Sequence, residues 1–322
     1  MAKCSLCGAP AVAEVRYARL RLCREHFLEF VERKVERAVR EHHMIRRGEK
    51  VVAAISGGKD SATLAGVLAR LRERLGFGLV LAHIDLGIGE YSVRSRRASE
   101  RLADELGLPL LVLSVEELLG DGVPRLAMKA RRPACSVCGI VKRYLLNALA
   151  IEARADRVAT GHNADDIAAY ALKAFLTQNL EDLRKQKPAT PSIEGLAVSR
   201  VKPLYSVYEK ESYLYALLRG LPFYHEECPH ARLTSLDFHL KEMINKLESR
   251  HPGIKLQLVR GLARNADRYP GEDWEPVPCR HCGLISYGGE CSFCRLTSRV
   301  KGEPLGGKVR GKIRSLIEGS HI

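Results

Sequence analysis

Six consecutive residues, Ser56-Gly57-Gly58-Lys59-Asp60-Ser61, constrain this chain more than any other stretch. They follow the apolar run Val51-Val52-Ala53-Ala54-Ile55 and precede a helical pattern. A short apolar run bounded by Gly-Gly reads as a buried strand. Gly57 and Gly58 permit a tight turn whose N–H groups approach an anion with no Cβ in the way. Asp60 and Ser61 suit the start of a helix. Strand, turn and helix N-terminus together make a site for phosphate. The string is not a Walker A loop, which needs Gly-Lys-Ser/Thr, because Asp60 follows Lys59.

The chain then alternates. Strands are expected at 51–55, 79–86, 109–115 and 157–160, with helices at 60–75, 91–106, 138–153 and 165–176. Such alternation argues an α/β fold with a parallel sheet covered on both faces. Ligands in these sheets lie beyond the carboxyl ends of the strands. Residues 56–61, His83-Ile84-Asp85 and residues 161–166 therefore share one rim. Adenine is expected near His83 and Ile84, the alternative for His83 being a partly buried structural histidine. Before this domain, Phe27, Val31, Val35 and Ala38 recur at helical spacing within 24–46. After it, 178–196 reads as a mobile loop, either a lid or plain surface. Further strands are expected at 198–207 and 223–225, and helices at 209–219, 236–247 and 254–263.

The ten cysteines form three groups. Such clusters in a reducing cytosol are more often metal sites than disulfides. Cys4-x2-Cys7 and Cys23-x2-His26 offer four ligands for a tetrahedral zinc, on a segment too short to fold without one. Cys279-x2-Cys282 and Cys291-x2-Cys294, with Gly283, Gly288 and Gly289 between them, read as a second zinc site of ribbon type. The expected organisation is a finger (1–27), a linking helix (28–48), a nucleotide domain (49–265), and a ribbon with a basic tail (266–322). Lys and Arg number 52 against 38 Asp and Glu, a formal charge of +14. That excess suggests a polyanionic partner, tRNA or DNA rather than a small acid, the alternative being a solubilising surface. The tail at 295–312 either wraps on RNA or is solvated. No apolar signal region follows Met1, and no run approaches the ~18 apolar residues of a membrane span. A soluble cytoplasmic protein without a membrane partner is expected.

The third group is Cys135 and Cys138, in Pro-Ala-Cys-Ser-Val-Cys-Gly, and the distant Cys228, in His-Glu-Glu-Cys-Pro. Three thiols leave three readings open. One is a Cys3His zinc site using His225 or His230. Another is a Cys135–Cys138 redox pair with Cys228 as nucleophile. The third is an iron–sulfur cluster with one iron lacking a protein ligand.

The glycine loop resembles the pyrophosphate (PP) loop of adenine-nucleotide α-hydrolases, which split ATP between its α and β phosphates. The order of finger, SGGKDS, CSxCG, TGHNADD, distant HEECP and ribbon is similar to that of the tRNA 2-thiolation enzymes of the TtuA/TtcA group, across essentially the whole chain. Fingers at both ends favour the TtuA subgroup, which forms 2-thiouridine at position 54 of the T-loop. Thiolases of wobble uridine 34 share much of the layout. The resemblance implies a Rossmann-like PP-loop ATP pyrophosphatase domain flanked by two zinc fingers. It implies a [4Fe–4S] cluster held by Cys135, Cys138 and Cys228, and reaction roles for Lys142, Asp166 and Asp60. It implies ATP contacts from Ala54, Ser56, Gly57, Gly58, Lys59, Asp60, Ser61, His83, Ile84, Lys142, Gly161 and Asp166. It also implies a ubiquitin-like sulfur carrier with a C-terminal thiocarboxylate, and a homodimer.

The chemistry has its own logic. Oxygen on C2 of uridine is a poor leaving group. Adenylating it makes AMP the leaving group, and sulfur can then attack C2. Lys59 compensates phosphate charge, and so does Mg²⁺, held by phosphate oxygens with Asp60 or Asp166. Lys142, one helical turn past Cys138, is placed to stabilise charge on the α-phosphate or the activated oxygen. Its alternative is a surface or RNA-contacting lysine, and for Asp165 and Asp166 the alternative is helix capping. Two other functions compete. An amide- or lysidine-forming ATP pyrophosphatase leaves the three cysteines without a task. A non-catalytic zinc-finger RNA-binding protein leaves the intact loop without one.

Overall fold

The computed structural model describes residues 2–231, 235–271 and 275–320. Its centre is a five-stranded, wholly parallel sheet. The strands are β3 (Lys50–Ile55), β4 (Gly78–Asp85), β5 (Leu110–Ser114), β6 (Arg157–Ala159) and β7 (Ser199–Val201), in spatial order β5-β4-β3-β6-β7. β1 (Ala13–Val15) and β2 (Leu20–Leu22) make the antiparallel hairpin of the N-terminal finger. The chain moves outward from β3 to β5, then returns to the other side of β3 at β6. Sequential parallel strands need long crossovers, here α2 (Lys59–Leu75), α3 (Gly89–Leu106) and α6 (Ala134–Glu152). The reversal between β3 and β6 opens a crevice beyond their carboxyl ends.

Alternation along the strands sorts two cores. Val51, Ala53, Ile55 and Leu81 face α2, α1 (Arg24–Glu41), α7 (Ala164–Leu176), α9 (Glu209–Arg219) and α11 (Ile254–Asn265). Val52, Val80, Ala82 and Ile84 face α6 and α5 (Val123–Ala130). α6 is long and apolar enough to cross a bilayer by length and composition. Its apolar face is instead spent on this second core, where Val137, Val141, Leu145, Ala148 and Leu149 are fully buried. The finger is not loosely tethered, since α1 buries Phe27, Val31, Val35 and Ala38 and packs on α9 and α2.

Several expectations are corrected. α4 (Val115–Leu119) and α5 lie in a stretch given no element. Pro124 near the start of α5 and buried residues at 123, 126, 127 and 130 are ordinary helix signals. The linking helix α1 stops at Glu41 rather than running to 46, and the strand expected over 198–207 is only β7. Residues 223–225 form no strand; the backbone N–H of Tyr224 instead donates to the carbonyl of Gly57 at 2.7 Å. The segment 178–196 contains α8 (Glu181–Arg184) and pairs along β7 through Ala189, while Lys202 donates to the carbonyl of Lys187 at 2.9 Å. It therefore runs beside the sheet edge as structure.

The largest correction is the basic tail. After β8 (Val277–Pro278) and β9 (Ile285–Ser286), it forms α12 (Ser292–Lys301) and α13 (Gly306–Gly319). Val309, Ile313 and Ile317 make a buried stripe at four-residue spacing, and α13 packs on α6. Phe293 stacks on Tyr144 with centroids 3.7 Å apart. A Cβ on Gly306 would lie 2.5 Å from the Cys294 sulfur, so only glycine lets α13 start against the ribbon. Buried Asp121 takes ammonium hydrogen bonds from Lys129 on α5 and Lys301 on α12, joining the two faces of this contact. α10 (Leu236–Arg250) completes the fold, packed on α7.

Candidate functional site

The crevice between β3 and β6 is walled by the loops that leave those two strands. Gly57 has φ +81°, and a Cβ there would meet the Ser95 carbonyl oxygen of α3 at 2.4 Å. Only glycine allows both the turn and that approach. Gly161 comes from the other wall, where a Cβ would sit 3.2 Å from Ser61 N. Ser61 Oγ donates to the Gly58 carbonyl at 2.8 Å and accepts from Ser56 N–H at 3.1 Å, closing the loop on itself. No side chain caps the N-terminus of α2. Its first N–H groups therefore face the crevice as an anion cradle. Ala54 lies one residue back on β3, in register with Ala82.

A charge network fills the floor. Lys59 Nζ pairs with Asp60 at 3.0 Å and with Glu209 at 2.7 Å. Glu209 holds Lys241 at 2.9 Å through its other oxygen, and Lys241 holds Asp166 at 2.8 Å. Asn163 Nδ2 donates to Asp60 at 3.2 Å and its side-chain oxygen caps α7. Glu209 and Lys241 carry no motif and are invisible to sequence reading. Burial works to raise the Glu209 carboxyl, but Lys241 and Lys59 overcome it and hold it at about 2. Burial also raises Asp60, with Lys59 opposing. The folded value of Glu209 lies below its ordinary 4.5, so its stabilisation is complete above that pH and is lost as pH falls towards about 2. Circular dichroism of wild type and Glu209→Gln should show a stability gap at pH 6 that narrows across that window; a constant gap would contradict the network.

The two acids at the start of α7 have separate environments. Asp165 is almost fully buried, paired with buried Lys255 at 2.7 Å, and accepts the Glu209 backbone N–H at 2.9 Å. Asp166 completes the capping box and keeps a partly exposed oxygen on Lys241. Asp165 is thus consumed by structure, while Asp166 faces the crevice.

α6 starts at Ala134, earlier than expected, so Cys135 lies in its first turn and Cys138 opens the second. Lys142 follows Cys138 by four residues on the same face. Burial raises the Cys138 thiol, Lys142 lowers it, and Cys228 and Cys135 raise it. The Cys135 sulfur donates to the backbone carbonyl of His230 at 3.4 Å. The segment that leads to Cys228 is tied to Gly57 through Tyr224, four residues before the cysteine. His83 is buried, with Nδ1 3.0 Å from the Ile55 carbonyl and 3.1 Å from Ser99 Oγ. Burial lowers its pKa, and it braces the end of β3 as a neutral ring. Ile84 points to the opposite face of the sheet, into the second core.

The terminal groups converge. Among the described residues, Cys4, Cys7, Cys23 and His26 bring their ligand atoms within 4.8 Å of one another, and so do Cys279, Cys282, Cys291 and Cys294. Sulfurs on one zinc at ~2.3 Å must lie within about 4.6 Å of each other, and the Cys7–Cys23 and Cys282–Cys291 separations are both 3.8 Å. The Cys135, Cys138 and Cys228 set does not appear at this spacing among the described residues.

A parallel sheet with a phosphate cradle at its switch point, and a cysteine-bearing segment tied to that cradle, defines a nucleotide-splitting domain with sulfur chemistry beside it. Residues 28–233 match the PP-loop domain family, and residues 3–28 match the N-terminal LIM domain of 2-thiouridine synthetase TtuA. The tRNA-5-methyluridine(54) 2-sulfurtransferase of Thermus thermophilus is 44% identical over 92% of this chain and 91% of its own length. That of Pyrococcus horikoshii is 40% identical over 91% of this chain and 93% of its own. A solved structure, the U34-tRNA thiolase NcsA from Methanococcus maripaludis with its [4Fe-4S] cluster, superposes with a TM-score of 0.79 at 27% identity, covering 94% of this chain and 96% of that one. The chain belongs to the PP-loop family of tRNA 2-thiolation enzymes.

Proposed function

We propose that this enzyme adenylates the C2 oxygen of uridine 54 in the tRNA T-loop and replaces it with sulfur. The observation that supports this most is the Tyr224–Gly57 hydrogen bond, which ties the Cys228 segment to the nucleotide loop. Activation and sulfur delivery then share one crevice. ATP lies with its phosphates on the 56–61 loop and the N-terminus of α2, its adenine towards the ends of β3 and β4, where Ala54, His83 and Ile84 sit. Mg²⁺ is held by phosphate oxygens with Asp60 or Asp166. Lys59 and Lys142 offset phosphate charge, and Asp166 serves the reaction.

The donor set at the middle cysteines fits a [4Fe–4S] cluster better than zinc. Among the described residues the three thiols are spaced more widely than the terminal sites, and His230 meets Cys135 through its backbone. Such a cluster on Cys135, Cys138 and Cys228 leaves one iron free of protein and supplies a place for exogenous sulfide. Zinc fills the two terminal sites. By resemblance, the sulfur comes from a ubiquitin-like thiocarboxylate carrier, the enzyme works as a cytoplasmic homodimer, and its folded tRNA substrate suits the +14 charge.

Nucleoside mass spectrometry of tRNA incubated anaerobically with enzyme, ATP and sulfide tests the reading, with fragment mapping of the product. Thiouridine in the T-loop is the expected result. Thiouridine at position 34, as the NcsA likeness would favour, would move the target but keep the chemistry. Lys142→Ala should preserve fold and metal content while lowering turnover by about 100-fold or more, the usual effect of removing a charge-stabilising donor. Unchanged turnover would return Lys142 to a surface role.

A further inference from the structure

His162, in the loop between β6 and α7, is the residue of TGHNADD that the functions above leave unused. We propose that His162 Nε2 accepts the N3 proton of the target uridine as the C2 oxygen is adenylated, and later returns it. This rests on the thiolation reading. The ring stands at the crevice mouth on an exposed residue, with Nδ1 2.9 Å from Thr160 Oγ1. The Thr160 hydroxyl has one hydrogen, and the Val201 carbonyl takes it at 3.4 Å. With its hydrogen turned to that carbonyl, Thr160 accepts from Nδ1–H, which is the tautomer the proposal requires. Nε2 is left as a lone-pair acceptor with no protein partner among the described residues.

The surroundings suit a proton acceptor. Protein crowding lowers the pKa of the ring, Asp166 raises it, and Lys202, Arg200 and Lys142 lower it. His162 follows Gly161, whose Cβ position lies 3.2 Å from Ser61 N, so the ring is carried by the strand of chain that walls the phosphate cradle. A neutral imidazole can serve as a general base at pH 7.

The chemistry needs such a group. The C2 oxygen becomes nucleophilic only as N3 gives up its proton, when C2–O2 turns single and C2–N3 double. As the proton passes to Nε2, the O2–Pα bond forms. The bond from Pα to the bridging oxygen breaks, and pyrophosphate leaves with the electron pair. When hydrosulfide attacks C2, the C2–O2 bond breaks and AMP departs with the oxygen. The imidazolium then returns its proton to N3, and the hydrosulfide proton leaves with the phosphate products. No redox change occurs at the base.

Two variants test this with anaerobic single-turnover thiouridine formation, ATP affinity and thermal melting. His162→Asn can keep a donor towards Thr160 but has no group in place of Nε2. It should lose at least about 100-fold in thiouridine rate, the typical share of general base catalysis, with ATP affinity within threefold of wild type. His162→Ala should fall equally and recover at least tenfold with added imidazole, which a structural role would not allow. Wild-type turnover in His162→Asn, or a His162→Ala loss that imidazole leaves untouched, would overturn the proposal. A wild-type enzyme that cleaves ATP but forms no thiouridine would instead sink the thiolation reading itself.

Discussion

Cys228→Ala is expected to abolish thiouridine formation while leaving ATP affinity within about threefold of wild type. A hydrogen-bond or contact loss worth less than ~0.7 kcal/mol corresponds to that change, and among the described residues Cys228 makes no hydrogen bond to the phosphate cradle. The cradle consists of loop N–H groups, the start of α2 and Lys59, all of which survive the substitution. The Tyr224–Gly57 bond is also a backbone bond, and alanine at 228 leaves it in place. The sulfur side loses one of its three thiols. Calorimetric ATP titration and nucleoside mass spectrometry on the same sample separate the two halves. Persistent thiolation would remove Cys228 from the reaction. A parallel loss of ATP affinity in folded protein would mean that the segment shapes the cradle as well.

The second large effect falls on stability. Lys255→Met should cost about 3–5 kcal/mol, because it strands the Asp165 carboxylate in the core. Lys255 and Asp165 are 3% and 2% exposed, which makes water unavailable as a substitute partner. Lys255 also reaches Asn245 at 2.7 Å and lies over the Tyr208 ring at 4.2 Å. Removing both charges by combining Lys255→Met with Asp165→Leu should recover much of the loss, since replacing a buried pair with apolar groups is often near neutral. Urea midpoints of the two singles and the double give the coupling. A Lys255→Met midpoint within experimental error of wild type would show that Asp165 finds solvent. The same pair orients the start of α7 and so the facing of Asp166, which makes reduced ATP turnover in the rescued double variant an expected by-product.

How much was legible depended on whether the information was local. The SGGKDS string, two paired-ligand motifs and the alternation of apolar runs are short-range patterns, and each specifies its own backbone chemistry. They led to the parallel sheet, the cradle and the two terminal metal sets, with β3 to β6 placed to within a residue, while the expected 198–207 strand shrank to β7 and the one at 223–225 did not form. Helix α13 was misread because its stripe of Val309, Ile313 and Ile317 is diluted by glycine and basic residues. Its burial comes from α6, more than 150 residues away, which no window contains. His162 was legible as part of a motif, but its task was not, because the free nitrogen is identified only by what Thr160 does with its single hydrogen.

The SGGKDS loop, the metal pairs and the order of motifs are what the sequence determined by itself, because turns, ligand spacings and apolar periods act over a few residues. Only the tertiary structure decided which charges share the crevice. Lys59, Glu209, Lys241 and Asp166 come from four separate segments, and electrostatic pairing depends on distance in space. It also decided that Asp165 is a structural acid and Asp166 an available one. Adjacent in sequence, they differ only in whether a buried lysine from α11 or a crevice lysine from α10 reaches them. The cradle was written locally, and the folded chain chose the groups that surround it.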